Sequence, residues 1–293
     1  MLFNSDLFFV LLPLLINLAG PAAGTMGAPA PAATHQSAPV RAAAPAAAGV
    51  FFPGYASPMT SYSSPIEKGN LLTVIAVEQG IALGDARSHV VPYAGVRLSV
   101  DEQGLDWNNK AVMQVGVKYV RRIAGGVVQA GGGYAFERRL KSEFRAEQPL
   151  AFAEAWFGWG MPWRSARQAA GAFPGSAWGS IGNDTPAEKN NVITRVYVEQ
   201  GAVIARIWQI DVVPFVEMTG AADSRGLSWN NLQMFGEGLR LSRHIAGAHL
   251  EMAAIYQQEH RWVDGTSAKA LGGLIRLRRD WRRSPAPSKT SRN

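Results

Sequence analysis

The sequence predicts an all-β protein, an antiparallel up-and-down transmembrane β-barrel of about twelve strands with an internal two-fold sequence duplication. Three observations predict it. Long runs alternate apolar and polar residues with period two, which is the signature of strands with two different faces. A unit spanning about 70–140 recurs at about 191–262. Short and long connections alternate along the chain, as they do in bacterial barrels with short periplasmic turns and longer outer loops.

In chain order, residues 7–18 are almost wholly apolar and lead into Ala19-Gly20-Pro21-Ala22-Ala23-Gly24. An apolar core of this length followed by small residues reads as a secretory signal peptide over 1–24 and is short for a membrane-spanning helix, with a short membrane anchor as the alternative. Residues 25–48 are dominated by Ala and Pro and read as a semi-extended linker. The barrel is expected over 49–282, with a first strand near 50–62 despite Pro53 and Pro58.

From residue 70 onward the strand pattern is dense. Candidate strands lie at 71–83, 90–100, 110–121, 126–138 and 150–160, then at 192–205, 210–219, 232–242, 247–258 and 268–277. They average about 11 residues, near the length of a tilted strand crossing a bilayer. One row of the fourth run is Val128, Ala130, Gly132, Tyr134 and Phe136; the other is Gln129, Gly131, Gly133, Ala135 and Glu137. A lipid-embedded barrel turns the apolar row outward. Loop parity requires one further strand between the two copies, for which 177–182 is the candidate, after a short helix near 164–170. The three consecutive glycines lie inside a strand and point to close backbone approach, not to a phosphate loop.

The recurrence is residue-specific. Gly104-Leu105-Asp106-Trp107-Asn108-Asn109 returns 122 residues later as Gly226-Leu227-Ser228-Trp229-Asn230-Asn231. Val91-Pro92-Tyr93 is answered by Val213-Pro214-Phe215, and Glu78-Gln79-Gly80 by Glu199-Gln200-Gly201. Trp107, Asn108, Asn109, Trp229, Asn230 and Asn231 are expected at the rim, where a loop re-enters the membrane. Their alternative role is a surface contact, since an exposed indole can stack on a sugar ring.

Glu78 and Glu199, Lys118 and Arg240, Gln129 and Glu251, and Glu137 and Glu259 hold equivalent positions in the two copies. With Arg97, Glu154 and Arg195 they fall on the inward rows and are the candidate lumen-lining set. In a narrow barrel such groups pair and plug the lumen; in a wider one they line a path for water and solute.

Composition limits the other classes. A net charge of +7 invites a nucleic-acid reading, but seven Lys or Arg against one Asp fall in 276–293. Residues 283–293 read as a solvated basic tail open to a periplasmic or anionic partner, and nucleic acid is not expected. The chain has no cysteine, so thiolate metal sites and a cysteine nucleophile are excluded. No metal-ligand spacing or cofactor motif is present. His89, His244, His249 and His260 stand in no hydrolase motif. A lipid hydrolase using Glu259-His260 with Ser228 or Ser242 is the third reading.

The stretches 104–118, Tyr134-Ala135-Phe136-Glu137-Arg138-Arg139 and 271–281 resemble the carboxy-terminal barrels of exopolysaccharide-export and phage-adsorption outer-membrane proteins. The resemblance covers 70–281 and implies glycan export, or reception at the envelope surface, through a barrel. Those families place a helical-repeat domain before the barrel, where this chain has the Ala/Pro linker. The expectation is therefore an outer-membrane channel or export component for a saccharide or other small polar solute, surrounded by outer-membrane lipid. A structural or receptor barrel with a plugged lumen is the alternative.

Overall fold

The computed structural model describes residues 49–62, 64–67, 69–85, 87–159, 172–183 and 185–283. The expected signal peptide, the expected linker, the expected helix near 164–170 and the chain after Arg283 lie outside them.

Twelve strands follow in order: β1 (Gly49–Tyr62), β2 (Leu71–Gly80, continued by Ala82–Gly84), β3 (Ser88–Asp101), β4 (Lys110–Ile123), β5 (Gly126–Arg139) and β6 (Arg145–Trp159). The second six are β7 (Gly175–Gly182), β8 (Ile193–Gly201, continued by Ala205–Ile207), β9 (Ile210–Asp223), β10 (Leu232–Ile245), β11 (Ala248–Arg261) and β12 (Ser267–Arg283). Each pairs antiparallel with the next, and β12 pairs with β1, so the sheet closes on itself. Closure removes the unpaired strand edges that a membrane interior cannot tolerate.

The period-two pattern sorts the two faces. On β4, Met113, Val115, Val117 and Tyr119 are each about half exposed, while Val112, Gln114 and Lys118 are buried. On β10, Phe235, Leu239 and Leu241 face out and Met234 and Arg240 face in. Glu237 shares the outward row of β10, the one acidic interruption of that row. In water such a contiguous apolar belt would be a large uncovered interface. Around a closed barrel it is the surface that lipid tails cover.

Both ends of the described chain meet the short-turn end, where two-residue turns at 124–125, 208–209 and 246–247 join strands. At the opposite end lie the connections 63–70, 102–109, 140–144, 183–192, 224–231 and 262–266. By the rule for bacterial barrels, the first end is periplasmic and the second faces outward.

The two half-walls, β1–β6 and β7–β12, pair in matching register. Gln129 lies opposite Glu154 and Glu251 opposite Arg276; Gly54 lies opposite Gln79 and Gly175 opposite Gln200. The glycines of β5 sit where backbones crowd: a Cβ on Gly133 would lie 2.0 Å from the Val115 carbonyl oxygen.

Two sequence expectations need correction. The final strand runs to Arg283 instead of ending at 277, because Arg276 and Arg278 point inward and find carboxylates: Arg276 donates to Glu251 and Arg278 to Asp280. Much of the basic charge within 276–293 is therefore wall. β6 begins at Arg145 and not at 150, so the connection before it is five residues and not eleven. The prolines of β1 are accommodated on one side: Pro58 pairs with Ile75 of β2, whereas no bridge to β12 lies between Pro53 and Met59 among the described residues. A residue without an N–H fits where the ladder is already open.

Candidate functional site

The outer mouth is built from loops that the recurrence makes equivalent. Asp101, the last residue of β3, accepts hydrogen bonds from the side chains of Asn70 (2.7 Å), Asn108 (3.0 Å) and Asn109 (2.5 Å) and from the Leu105 N–H (3.0 Å). Asp223, the last residue of β9, accepts from Asn191 (2.7 Å), Asn230 (3.0 Å), Asn231 (2.7 Å) and the Leu227 N–H (3.0 Å). Above them, Glu67 accepts from the Trp107 indole (3.2 Å), Asn108 and Asn70. Glu188 accepts from the Trp229 indole (3.0 Å), Asn230 and Asn191 in the same way.

Each arrangement is a clasp between an inward-folded loop, 63–70 or 183–192, and the Trp-Asn-Asn loop beside it. The amides of Asn70, Asn109 and Asn191 are almost wholly buried, so their donors need these acceptors. Pro65 and Pro186, at the centre of the two inward loops, are fully buried. The far side of each loop rests on the wall: Ser64 donates to Glu259 (2.6 Å), and the Ala187 N–H to Glu137 (3.4 Å). The indoles themselves stay half exposed with their N–H edges fixed.

The clasp residues Glu67, Asn70 and Asp101, with Glu188, Asn191 and Asp223, were not singled out from the sequence. A signal existed. Ser64-Pro65-Ile66-Glu67-Lys68-Gly69-Asn70 returns as Thr185-Pro186-Ala187-Glu188-Lys189-Asn190-Asn191, one more stretch of the same recurrence.

Below the loops, the candidate lumen set lies on the inward rows. Glu78, Lys118, Gln129, Glu137, Glu199, Arg240, Glu251 and Glu259 are buried, and Arg97, Glu154 and Arg195 are half-buried. The structure brings them together unevenly. In the first half-wall Lys118 Nζ donates to Glu78 Oε1 at 2.8 Å and Gln129 donates to Glu154 at 2.8 Å. In the second, Arg240 grips Glu199 with two nitrogens (2.7 and 2.6 Å) and lies 3.8 Å from Glu251, which also binds Arg276 at 2.6 Å. Tyr197, Glu217, Gln257 and Arg276, missed from the sequence, complete this network. The Tyr197 hydroxyl lies 2.8 Å from Glu199 and 3.1 Å from Glu217, and Gln257 donates to Glu217.

Cavities beside these groups are small, about 20 Å³ in the first half-wall and about 30 Å³ in the second. Such spaces hold a water or two. Toward the periplasmic end, Phe51, Tyr55, Ala76, Ala82, Val91 and Tyr93 pack into an apolar cluster inside the barrel.

The hydrolase constellation is not assembled. His260 Nδ1 lies 2.8 Å from Ser267 Oγ, while Ser242 faces Glu251 in register and Ser228 bonds Asp264. No group of three or more His, Cys, Asp or Glu could hold a metal ion among the described residues. At the rim, Asp106 accepts from Arg139 (2.9 Å) and Ser142 (3.1 Å), and Arg139 holds its carboxyl below the usual range.

A closed barrel with an apolar outer belt and a charged interior defines a class: this is a bacterial outer-membrane β-barrel. No family model matches the chain, and no curated protein does. Among solved structures, the chain is similar to the beta domain of the Bordetella autotransporter BrkA (13% identity, TM-score 0.39), covering 80% of this chain and 99% of that one. It is also similar to the outer membrane channel DcaP of Acinetobacter baumannii (8% identity, TM-score 0.34; 80% and 98% covered). A third is an outer membrane channel from Pseudomonas putida F1 (7% identity, TM-score 0.39; 80% and 96% covered).

Proposed function

We propose that this chain is an outer-membrane channel, or an export component of the same class, that rests closed and passes a small polar solute, a saccharide among them. The recurrence is read with it as an internal duplication of a six-strand unit. The observation that carries the proposal is the inner wall: both half-walls present charged and amide side chains at equivalent heights, beside cavities able to hold water. Interior ion pairs of this kind set which solute enters when they part.

Planar-bilayer recording of purified protein tests it. Wild type is expected to give small, intermittent currents, and Glu199→Gln with Arg240→Met larger and steadier ones. Silence from both proteins would sink the channel reading. A barrel with a plugged lumen, acting as a receptor or structural element, would then take its place. That second reading draws on the burial of nearly every interior charge and on the two loops folded over the mouth.

A further inference from the structure

Among the described residues, two buried oxygens beside one cavity of the first half-wall have no hydrogen-bond partner. Glu78 is 1% exposed; its Oε1 takes the Lys118 ammonium, and its Oε2 takes nothing among the described residues. The Tyr93 hydroxyl, on the neighbouring strand, is likewise unpartnered. Both residues line the same cavity of about 20 Å³, together with Gln114, Lys118 and Gln129. Leaving a buried carboxylate oxygen and a phenol unsatisfied is costly, and native structures rarely do so without a water or ligand in the gap. The equivalent place in the second half-wall is built differently. Phe215 replaces the tyrosine there, and both oxygens of Glu199 accept hydrogen bonds from Arg240.

We propose that Glu78 Oε2 and Tyr93 Oη form a binding station for a hydroxyl group, the shared chemistry of water and of a small polyol. The pairing is complementary. A hydroxyl donates its proton to the carboxylate oxygen and accepts the phenolic proton on its own oxygen. Lys118 holds the station in place: its ammonium bonds the other carboxylate oxygen and lies 4.8 Å from the Tyr93 ring centre. It also disfavours a cation as the occupant. The station adjoins the apolar cluster of Phe51, Tyr55 and Val91, to which the Tyr93 ring belongs. This inference rests on the channel reading and names the part of the wall where a solute is bound.

The test is swelling of proteoliposomes in glycerol and in arabinose, with water permeability measured separately by shrinkage in an impermeant osmolyte. Tyr93→Phe removes the donor while keeping the ring, and should slow polyol entry about fivefold. Tyr119→Phe, on the outward face of β4 and away from the lumen, should leave it unchanged. Heat-modifiable gel mobility of both variants checks that they fold. Because the chain has no cysteine, Gln129→Cys adds a single thiol at the cavity wall. A water-soluble thiosulfonate should label it, and 1 M glycerol should slow that labelling.

Wild-type flux with unaltered entry in Tyr93→Phe overturns the station and leaves the channel standing. A change confined to water permeability assigns the gap to water and overturns the polyol role. No wild-type flux at all overturns both readings together.

Discussion

The two half-walls share a backbone plan and differ in what they do with it inside. At the rim they are nearly interchangeable: Asp101 and Asp223 each gather three asparagine side chains and one loop N–H, and each clasp pins an indole to a glutamate. In the lumen they part. Lys118 offers Glu78 one contact where Arg240 offers Glu199 two. Gln129 and Glu154 form an amide–carboxylate pair where Glu251 and Arg276 form an ion pair. Arginine's planar fork matches both oxygens of a carboxylate, whereas an ammonium is a point charge. The charges of the second half-wall are therefore locked in a network, whereas Glu78 of the first keeps an oxygen without a partner among the described residues. Matching rims over unlike interiors separate the task of holding the mouth from the task of lining the path.

Substitutions can break or sharpen that contrast. The largest effect is expected at Arg240→Ala, which leaves Glu199 and Glu251 buried beside too few cations. Loss of one partner of a buried pair costs about 3–5 kcal/mol. Urea unfolding of protein refolded in lipid vesicles should show it, and Lys118→Ala should cost less, since an ammonium holds its carboxylate as a point charge where the Arg240 fork grips Glu199 with two nitrogens and lies near Glu251. Equal losses would mean that the two interiors are energetically alike.

Next come Asp101→Ala and Asp223→Ala, each stranding amide donors at a cost of about 1–3 kcal/mol. The two should agree with each other, because the clasps agree contact for contact. A marked difference in the temperature at which their gel mobility shifts would end the equivalence of the rims. Smaller still is Trp107→Phe or Trp229→Phe, where one exposed hydrogen bond is lost at about 0.5–1.5 kcal/mol. Glu67→Ala and Glu188→Ala should instead free the indoles and move their emission to the red by similar amounts.

Most of the wall was legible because period-two alternation is a local pattern. Met113, Val115, Val117 and Tyr119 alternate with Gln114, Gly116 and Lys118, and only one arrangement buries the second set. The end of β12 was less legible: Arg278, Arg279 and Asp280 read as solvated charge until Asp280 is seen to hold Arg278 at 2.7 Å. The clasps were harder again. Trp107 and Glu67 are forty residues apart, and no periodicity links them. Their sequence trace is the recurrence of Ser-Pro and Thr-Pro loops, which carry no strand pattern. The unpartnered oxygens of Glu78 and Tyr93 could not be read at all, since a missing bond is a property of packing.

The seam between β1 and β12 gives the closed sheet a preferred place to part. The β4–β5 and β10–β11 seams are bridged through long unbroken ladders, but β1 meets β12 only at Phe52 and Pro53 and again from Met59 to Ser61. A cylinder under hoop strain yields where its circumference is least stitched. Here that place also joins the earliest and latest strands of the barrel. The last stitch in assembly and the first to slip in unfolding would then be the same one, set by two prolines near the start of the wall.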